Sequence, residues 1–465
     1  MLRILQIFIF FLVPSLALSQ INSPEIELYA GGSAGSGTMK SFWLTSNQSG
    51  KYSLDPFEGI AGIRVEASDS SASLISFDYG FESYIPVREN GAVILQQGYL
   101  EINTPLLTFR GGMKEETIGN QDSLLSIGST VWSQNHRPMP KLVIETPGYV
   151  DLPFTKGYVE ANGSLAHGWF EKDRYVDNVM LHQKHLHLRF GGDFFINASL
   201  GLIHFAQWGG NSPDPRFGTL PSDFDAFTRV FLVQGGDPAL VDSSEAKNKL
   251  GNHLGSRNYR IDVRADAFSA GLYYQTIFED NSGASKEFNE DGLLGIVFTS
   301  RNKQKWINRV VVERLKTTFQ SGPIHDLTGP VKRKGNDNYF NNHVYRNGWS
   351  YLGMTLGTPM ITSPVFNETD EIRLPNNRVI AYHIGIGGMA GKYPYRTYFT
   401  YSNNLGTYSH PIEPPKKQFS WYLETTLPEI WRGIDVNIML AADIGSMYGN
   451  NLGAIILLRK VFKPF

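Results

Sequence analysis

The sequence has no cysteine in its 465 residues, which excludes disulfides and excludes a lipid-bearing cysteine at a processed N-terminus. Stability must then come from closing a sheet or packing a core. It has few charges, 18% against the roughly 25% usual in soluble domains, and its 42 Lys+Arg against 44 Asp+Glu leave −2. Without a basic field, nucleic acid is excluded as a partner. Past the first twenty residues it also lacks any apolar run approaching the ~18 residues of a transmembrane helix; the longest is Ala454-Ile455-Ile456-Leu457-Leu458. A helical membrane protein is excluded. What is present is a set of rings, 29 Phe, 22 Tyr and 8 Trp, on a chain of mean hydropathy −0.23. Many rings on a polar background suit an amphipathic sheet with aromatic girdles.

Residues 1–19 combine Arg3, an apolar stretch from Ile4 to Val13, a break at Pro14 and small residues Ala17 and Ser19, and read as a secretory signal peptide cleaved after Ser19. The expected organisation is this leader, an N-terminal periplasmic or plug segment over 20–56, and a barrel over 57–465. Period-two alternation carries that expectation. Ile434, Val436, Ile438, Leu440 and Ala442 make one apolar face against Asp435, Asn437, Met439, Ala441 and Asp443. Phe419, Trp421 and Leu423 do the same against Ser420, Tyr422 and Glu424, as do Tyr259, Ile261 and Val263 against Arg260, Asp262 and Arg264. Such segments are strands with one dry and one wet face.

On the wet faces, ionisable and small residues mix, as at His185, His187 and Arg189, which suits a polar lumen better than bulk solvent. The predicted fold is all-β: a closed antiparallel transmembrane barrel of about 18 strands, its lumen capped by loops and both termini periplasmic. Phe465 at the end of an amphipathic segment whose better lipid face is Ala454, Ile456, Leu458 and Phe462 fits insertion by the outer-membrane barrel machinery. Loops rich in Gly, Asn, Pro and Asp are expected at 206–226, 234–256, 279–291, 318–348, 357–377 and 403–417. Placing 318–348 and 357–377 on one side with a single strand between them violates alternation, so either a strand is hidden or one long loop faces the periplasm.

Several patterns match without carrying chemistry. Gly31-Gly32-Ser33-Ala34-Gly35 fits G-x-S-x-G with no helix to follow, and GGSAGSGTMK has Thr38 where a phosphate loop needs lysine, so the run reads as a flexible segment. His185 and His187 share a strand face, yet no third ligand accompanies them; they read as lumen histidines, with no metal or cofactor.

Ordered motifs from Gly157 onward carry a resemblance: Ala166-His167-Gly168-Trp169-Phe170, Leu181-His182-Gln183-Lys184-His185-Leu186, and Gly201-Leu202-Ile203-His204-Phe205-Ala206-Gln207-Trp208-Gly209-Gly210. Asp223-Phe224-Asp225-Ala226-Phe227-Thr228-Arg229-Val230-Phe231, Gly251-Asn252-His253-Leu254-Gly255 and Phe278-Glu279-Asp280-Asn281-Ser282-Gly283 follow, with echoes at Ser41-Phe42-Trp43-Leu44, Gln96-Gln97-Gly98-Tyr99-Leu100 and Asn347-Gly348-Trp349. In this order they resemble the Wzi capsule-assembly family of outer-membrane proteins. The resemblance implies an outer-membrane barrel of a Gram-negative bacterium that acts as a lectin, holding capsular polysaccharide at the cell surface. One departure is that 20–60 is too rich in Gly and Ser to promise the helical N-terminal region of the best-known members.

Sugar recognition needs flat apolar faces for C–H patches and planar polar groups for hydroxyls. Trp169 and Trp208, with the neighbouring His167 and His204, are the candidate platforms; Asp225 and Arg229 are candidate hydroxyl or carboxylate partners. The alternatives are that each Trp is a girdle residue and that Asp225 and Arg229 pair across the lumen. A lectin predicts a lumen plugged by loops, and a diffusion porin for small hydrophilic solutes predicts an open channel. A hydrolase needs an activated nucleophile or carboxylate that no spacing here supplies. The favoured reading is a monomeric, non-enzymatic lectin whose partners are capsular or surface polysaccharide and outer-membrane lipid.

Overall fold

A computed structural model describes residues 24–463 apart from 70–73, 88–90, 238–248, 280–289, 327–332, 368 and 370. The leader 1–19 and Phe465 lie outside the described residues. Eighteen antiparallel strands close on themselves. The first six are β1 (Glu25–Gly35), β2 (Glu58–Ser68), β3 (Ser76–Val87), β4 (Ile94–Asn103), β5 (Thr108–Met113) and β6 (Lys141–Glu145, continued by Val150–Asp151). Then come β7 (Val159–Trp169), β8 (Met180–Phe190), β9 (Ile196–Trp208), β10 (Asn252–Arg264), β11 (Phe268–Thr276) and β12 (Gly292–Ser300). The last six are β13 (Arg309–Lys316), β14 (Val379–Ala390), β15 (Tyr393–Gly406), β16 (Pro411–Trp431), β17 (Ile434–Gly445) and β18 (Asn451–Phe462). Each strand pairs with its sequence neighbour, and β1 closes the sheet on β18 in a register running from Ile26↔Phe462 to Gly35↔Gly453. Closure leaves no open edge, the condition for crossing a bilayer with strands.

The alternation read from sequence sets the two faces. Ile438 and Leu440 point outward with Leu186, Leu200, Ile296, Ile384, Ile456 and Leu458, while Asn437, Met439, Ala441 and Asp443 point in and are buried. Exposed rings mark both ends of this apolar belt, Tyr382, Tyr401 and Trp169 at one and Trp306, Trp431 and Phe194 at the other. That is the girdle pattern of an outer-membrane barrel.

Three expectations are corrected. The segment 20–56 is not separate from the barrel: Glu25–Gly35 is β1, and residues 36–57 form the loop that follows it. The run Gly31–Gly35 is therefore strand and not flexible segment, because glycine lets it lie against β18. A Cβ at Gly31 would sit 1.9 Å from the Ile456 carbonyl oxygen. The long loop expected at 403–417 is a tight turn over 407–410 between β15 and β16. The parity conflict also resolves without a hidden spanning strand. Residues 317–378 are one excursion between β13 and β14, and 348–356 contributes only a two-residue hairpin, Ser350–Tyr351 against Met354–Thr355.

All long connections leave the same end of the barrel, and three of them enter the lumen. Loop 36–57 puts Phe42, Trp43 and Leu44 into one core with Leu125, Ile127, Tyr273, Tyr398 and Tyr422. Loops 114–140 and 317–378 meet in a second core of Trp132, Tyr339, Phe340 and Trp349 against Phe205 and Leu254. Inward polar groups stitch the plug to the wall: Glu313 on β13 accepts from Ser126 Oγ (2.6 Å), Tyr273 OH (2.6 Å) and the Ile127 N–H (2.8 Å). Trp43 Nε1 donates to Thr400 Oγ1 at 3.2 Å. These buried polar groups are satisfied across loop and strand together, so plug and wall are tied to one another.

Candidate functional site

Strand parity separates the motif residues. On β9, Ile203, Phe205 and Gln207 point into the lumen, and His204, Ala206 and Trp208 point outward. The outward set is covered by the helix α1 (Phe224–Phe231), whose N-cap Asp223 accepts from the Ala226 N–H. Ala226, Phe227, Val230 and Phe231 recur at helical spacing and make one apolar stripe. That stripe lies on Ala206, Trp208, Leu250 and Met180, on the outside of the barrel at its loop end.

Four of the six residues expected to bind sugar meet at this outer wall. Trp208 is 3% exposed and His204 7%, the latter bonded through Nε2 to His253 Nδ1 at 2.8 Å. Neither is a platform: α1 lies on Trp208, and His204 is buried against His182 and His253. His167 stands edge-on between Trp169 (5.0 Å) and Trp208 (5.9 Å). Trp169 is 42% exposed and faces outward beside the apolar belt, the position of a girdle ring. Asp225 and Arg229 pair at 2.7 Å along the solvent face of α1, not across the lumen. The inward motif residues hold the long loop instead. Gln207 donates to the Gly348 carbonyl (2.8 Å) and accepts from Asn252 (2.9 Å), and Asn252 accepts from Asn342 (3.2 Å). Gly348 is required there, since its φ is +60° and a Cβ would lie 2.0 Å from the Phe340 carbonyl oxygen.

The open face lies where loops 170–179, 209–251 and 317–378 converge. A cleft of about 750 Å³ is lined by Tyr175, Arg216, Asn338, Asn341, Asn342, His343, Arg346, Glu371, Ile372 and Arg373. Its floor is rigid: Asn342 Oδ1 caps the N–H groups of Val344 and Tyr345, and Asn341 exchanges hydrogen bonds with the Leu374 backbone. Arg174 clamps the same loop by donating to Ser350 and Gly348 carbonyls at 2.7 and 3.1 Å. The rim is cationic. Asp214 accepts from Arg216 (2.7 Å) and Arg346 (3.1 Å), and the Arg346 guanidinium lies over the Tyr175 ring at 4.3 Å. Hydrogen bonds from Arg216 hold the Asp214 carboxyl down at about 2; those from Arg373 likewise lower Glu371. Both counter-charges are fixed at neutral pH.

This cleft escaped the sequence reading, which expected loops at 206–226, 318–348 and 357–377 without bringing Arg216, Arg346 and Arg373 together. Tyr175, Arg216 and Arg373 come from three separate segments, and no spacing joins them.

A second space of about 960 Å³ occupies the opposite half of the lumen, towards the short turns. Arg260 with Asp262 and Arg110 with Glu116 line it as pairs, and so does Arg189, which pairs with Glu160. His185 and His187 point into it, their rings 5.3 Å apart. Among the described residues no three His, Cys, Asp or Glu are placed to hold a metal ion.

A family model described as capsule assembly protein Wzi matches residues 41–362. Among solved structures, Escherichia coli Wzi superposes with a TM-score of 0.59 at 12% identity, over 99% of this chain and 88% of that one. It is described as an outer-membrane protein of group 1 capsule assembly and a carbohydrate-binding β-barrel. Pseudomonas aeruginosa OccK5 (OpdH) superposes with a TM-score of 0.50 at 7% identity, over 95% of this chain and 98% of that one. No curated protein sequence matches.

Proposed function

This chain belongs to the Wzi capsule-assembly family, and from that premise we propose that it is an outer-membrane lectin that retains capsular or surface polysaccharide at the cell surface. One observation carries the reading: the barrel is plugged at its loop end by its own cores while leaving a polar cleft on the outside of that plug. A retained polymer needs a surface and not a pore. The glycan contact passes from the outer-wall residues Trp208 and His204 to this cleft, because the cleft offers exposed planar polar groups at the loop end of the barrel. In this reading the protein is a monomer whose closed sheet is lodged in outer-membrane lipid after export and assembly by the barrel-insertion machinery. It works by binding, without cofactor or catalysis.

The test uses the purified barrel in detergent. Surface polysaccharide extracted from encapsulated cells is titrated against it, and the same preparation is examined in planar bilayers. Saturable polymer binding with no solute conductance is expected. Conductance without binding would sink the lectin and leave the diffusion porin.

A further inference from the structure

We infer that the loop-face cleft takes a polysaccharide bearing carboxylates, read by Arg346 and Arg373; this rests on the lectin reading and adds the ligand's chemical class. The chain as a whole is slightly acidic at −2, yet the residues lining the cleft include three arginines and one acid. All three cations are arginine and none is lysine. The guanidinium fork matches carboxylate geometry with two parallel N–H donors, which a point-charge ammonium does not.

Their settings differ usefully. Arg346 spends one Nη2 contact on Asp214 and its Cζ lies 4.3 Å from the centroid of the Tyr175 ring, so two contacts restrain it before ligand arrives and less freedom is lost on binding. Arg373 grips Glu371 through Nε and Nη2, both at 3.1 Å, and its Nη2 also meets His410 at 3.2 Å. Nη1 of Arg373 and the Nε and Nη1 of Arg346 make no hydrogen bond among the described residues. With 43% and 44% of their side chains exposed, both present donors to solvent at the cleft. A guanidinium edge at Arg346 and the single open Nη1 of Arg373 on one cleft suit a polymer whose acidic sugar recurs along the chain, where several weak contacts add up.

The probe is surface polysaccharide released from encapsulated cells, used as isolated and after carbodiimide reduction of its carboxylates to alcohols. The expected result is a loss of about tenfold on reduction and a steep weakening of the unreduced polymer with salt. Arg346→Gln and Arg373→Gln should each weaken the unreduced polymer several-fold and leave the reduced polymer unchanged, with heat-modifiable migration confirming that the variants fold. Equal binding of both forms, loss only on enzymatic removal of phosphate, or a polymer that binds and has no carboxylates would each overturn the inference and leave the lectin standing. Binding of neither form by the folded barrel would remove the lectin reading itself.

Discussion

The outer wall beneath α1 and the cleft on the loop face lie at the same end of the barrel and are built in opposite ways. The wall is made of residues from recurring motifs, His167, His182, His204, Trp208 and His253, packed ring against ring and covered by a helix. The cleft is made of residues no motif contains, gathered from three loops and left exposed. Motif residues here hold the fold, and the exposed cleft residues ride on loops that the motif residues fasten. Gln207 shows the link, because its side chain reaches from a motif strand to the Gly348 carbonyl in the loop that builds the cleft. Spatial closeness to a recognisable motif is therefore a poor guide to exposure on the loop face of this chain.

The sharpest way to break the contrast is to remove the packing that supports the cleft from below. Trp349 is fully buried in the core shared by loops 114–140 and 317–378. Trp349→Ala should cost about 3–5 kcal/mol of local stability, seen as faster amide exchange over residues 339–356. Polysaccharide binding should fall with it, since the asparagine-capped floor loses its base. Normal binding despite fast exchange would show that the cleft does not depend on the plug.

The plug should also carry a pH signature of its own. His136, in loop 114–140, is buried against Trp132 at 4.5 Å and Tyr351 at 6.4 Å, with Nδ1 against its neighbour's carbonyl, Arg137 O. Burial lowers its pKa to about 4; the Arg137 carbonyl and Glu116 push upward and Lys141 pushes down, without reversing the shift. The unfolded histidine takes its proton near 6.5 and the folded one does not, so plug stability is full above 6.5 and drains as pH falls towards 4. At about 1.4 kcal/mol per unit the loss is roughly 3 kcal/mol. Glu116 follows at lower pH. Burial would raise it, but Lys141 and Arg110 bring it down to about 2, so its contribution is whole above 4.5 and lost only below that. The thermal midpoint should therefore decline from pH 6.5 to 4.5 and do so less in His136→Gln. Parallel profiles for the two proteins would exclude His136 as the cause.

How much of this was legible in the sequence follows from the same physics. Faces of strands were legible because period two is local: the lipid face of β17 and the lumen face holding His185 and His187 fell where the alternation put them. Membership of β1 in the barrel was hidden because Gly31 and Gly32 carry no side chain to alternate, and their value lies in a close approach to a strand more than 400 positions away. The cover over Trp208 was hidden for another reason. Alternation says that Trp208 points outward, but not that residues 224–231 return to lie on it. The cleft was least legible of all, since its arginines meet only after the lumen has been filled.

The smallest expected effect on binding concerns the outer wall itself. Trp208→Ala removes a ring that packs on Phe227 at 5.8 Å and on His167 at 5.9 Å. An eight-residue helix can settle into part of the gap, so the cost should sit near 2–3 kcal/mol, below the range for a fully enclosed tryptophan. It should appear as local opening of α1, measured by thiol labelling of Ala226→Cys, which is unambiguous in a chain that has no cysteine of its own. Polysaccharide affinity should not move, because among the described residues α1 makes no hydrogen bond or ring contact with a residue lining the cleft. Asp225→Asn with Arg229→Gln is the internal control: the pair lies on the solvent side of the helix, where such pairs contribute little, so neither labelling nor binding should change. Weakened binding in a folded Trp208→Ala barrel, with Trp169→Ala adding to it, would return the sugar site to the outer wall and reverse the contrast between the two regions.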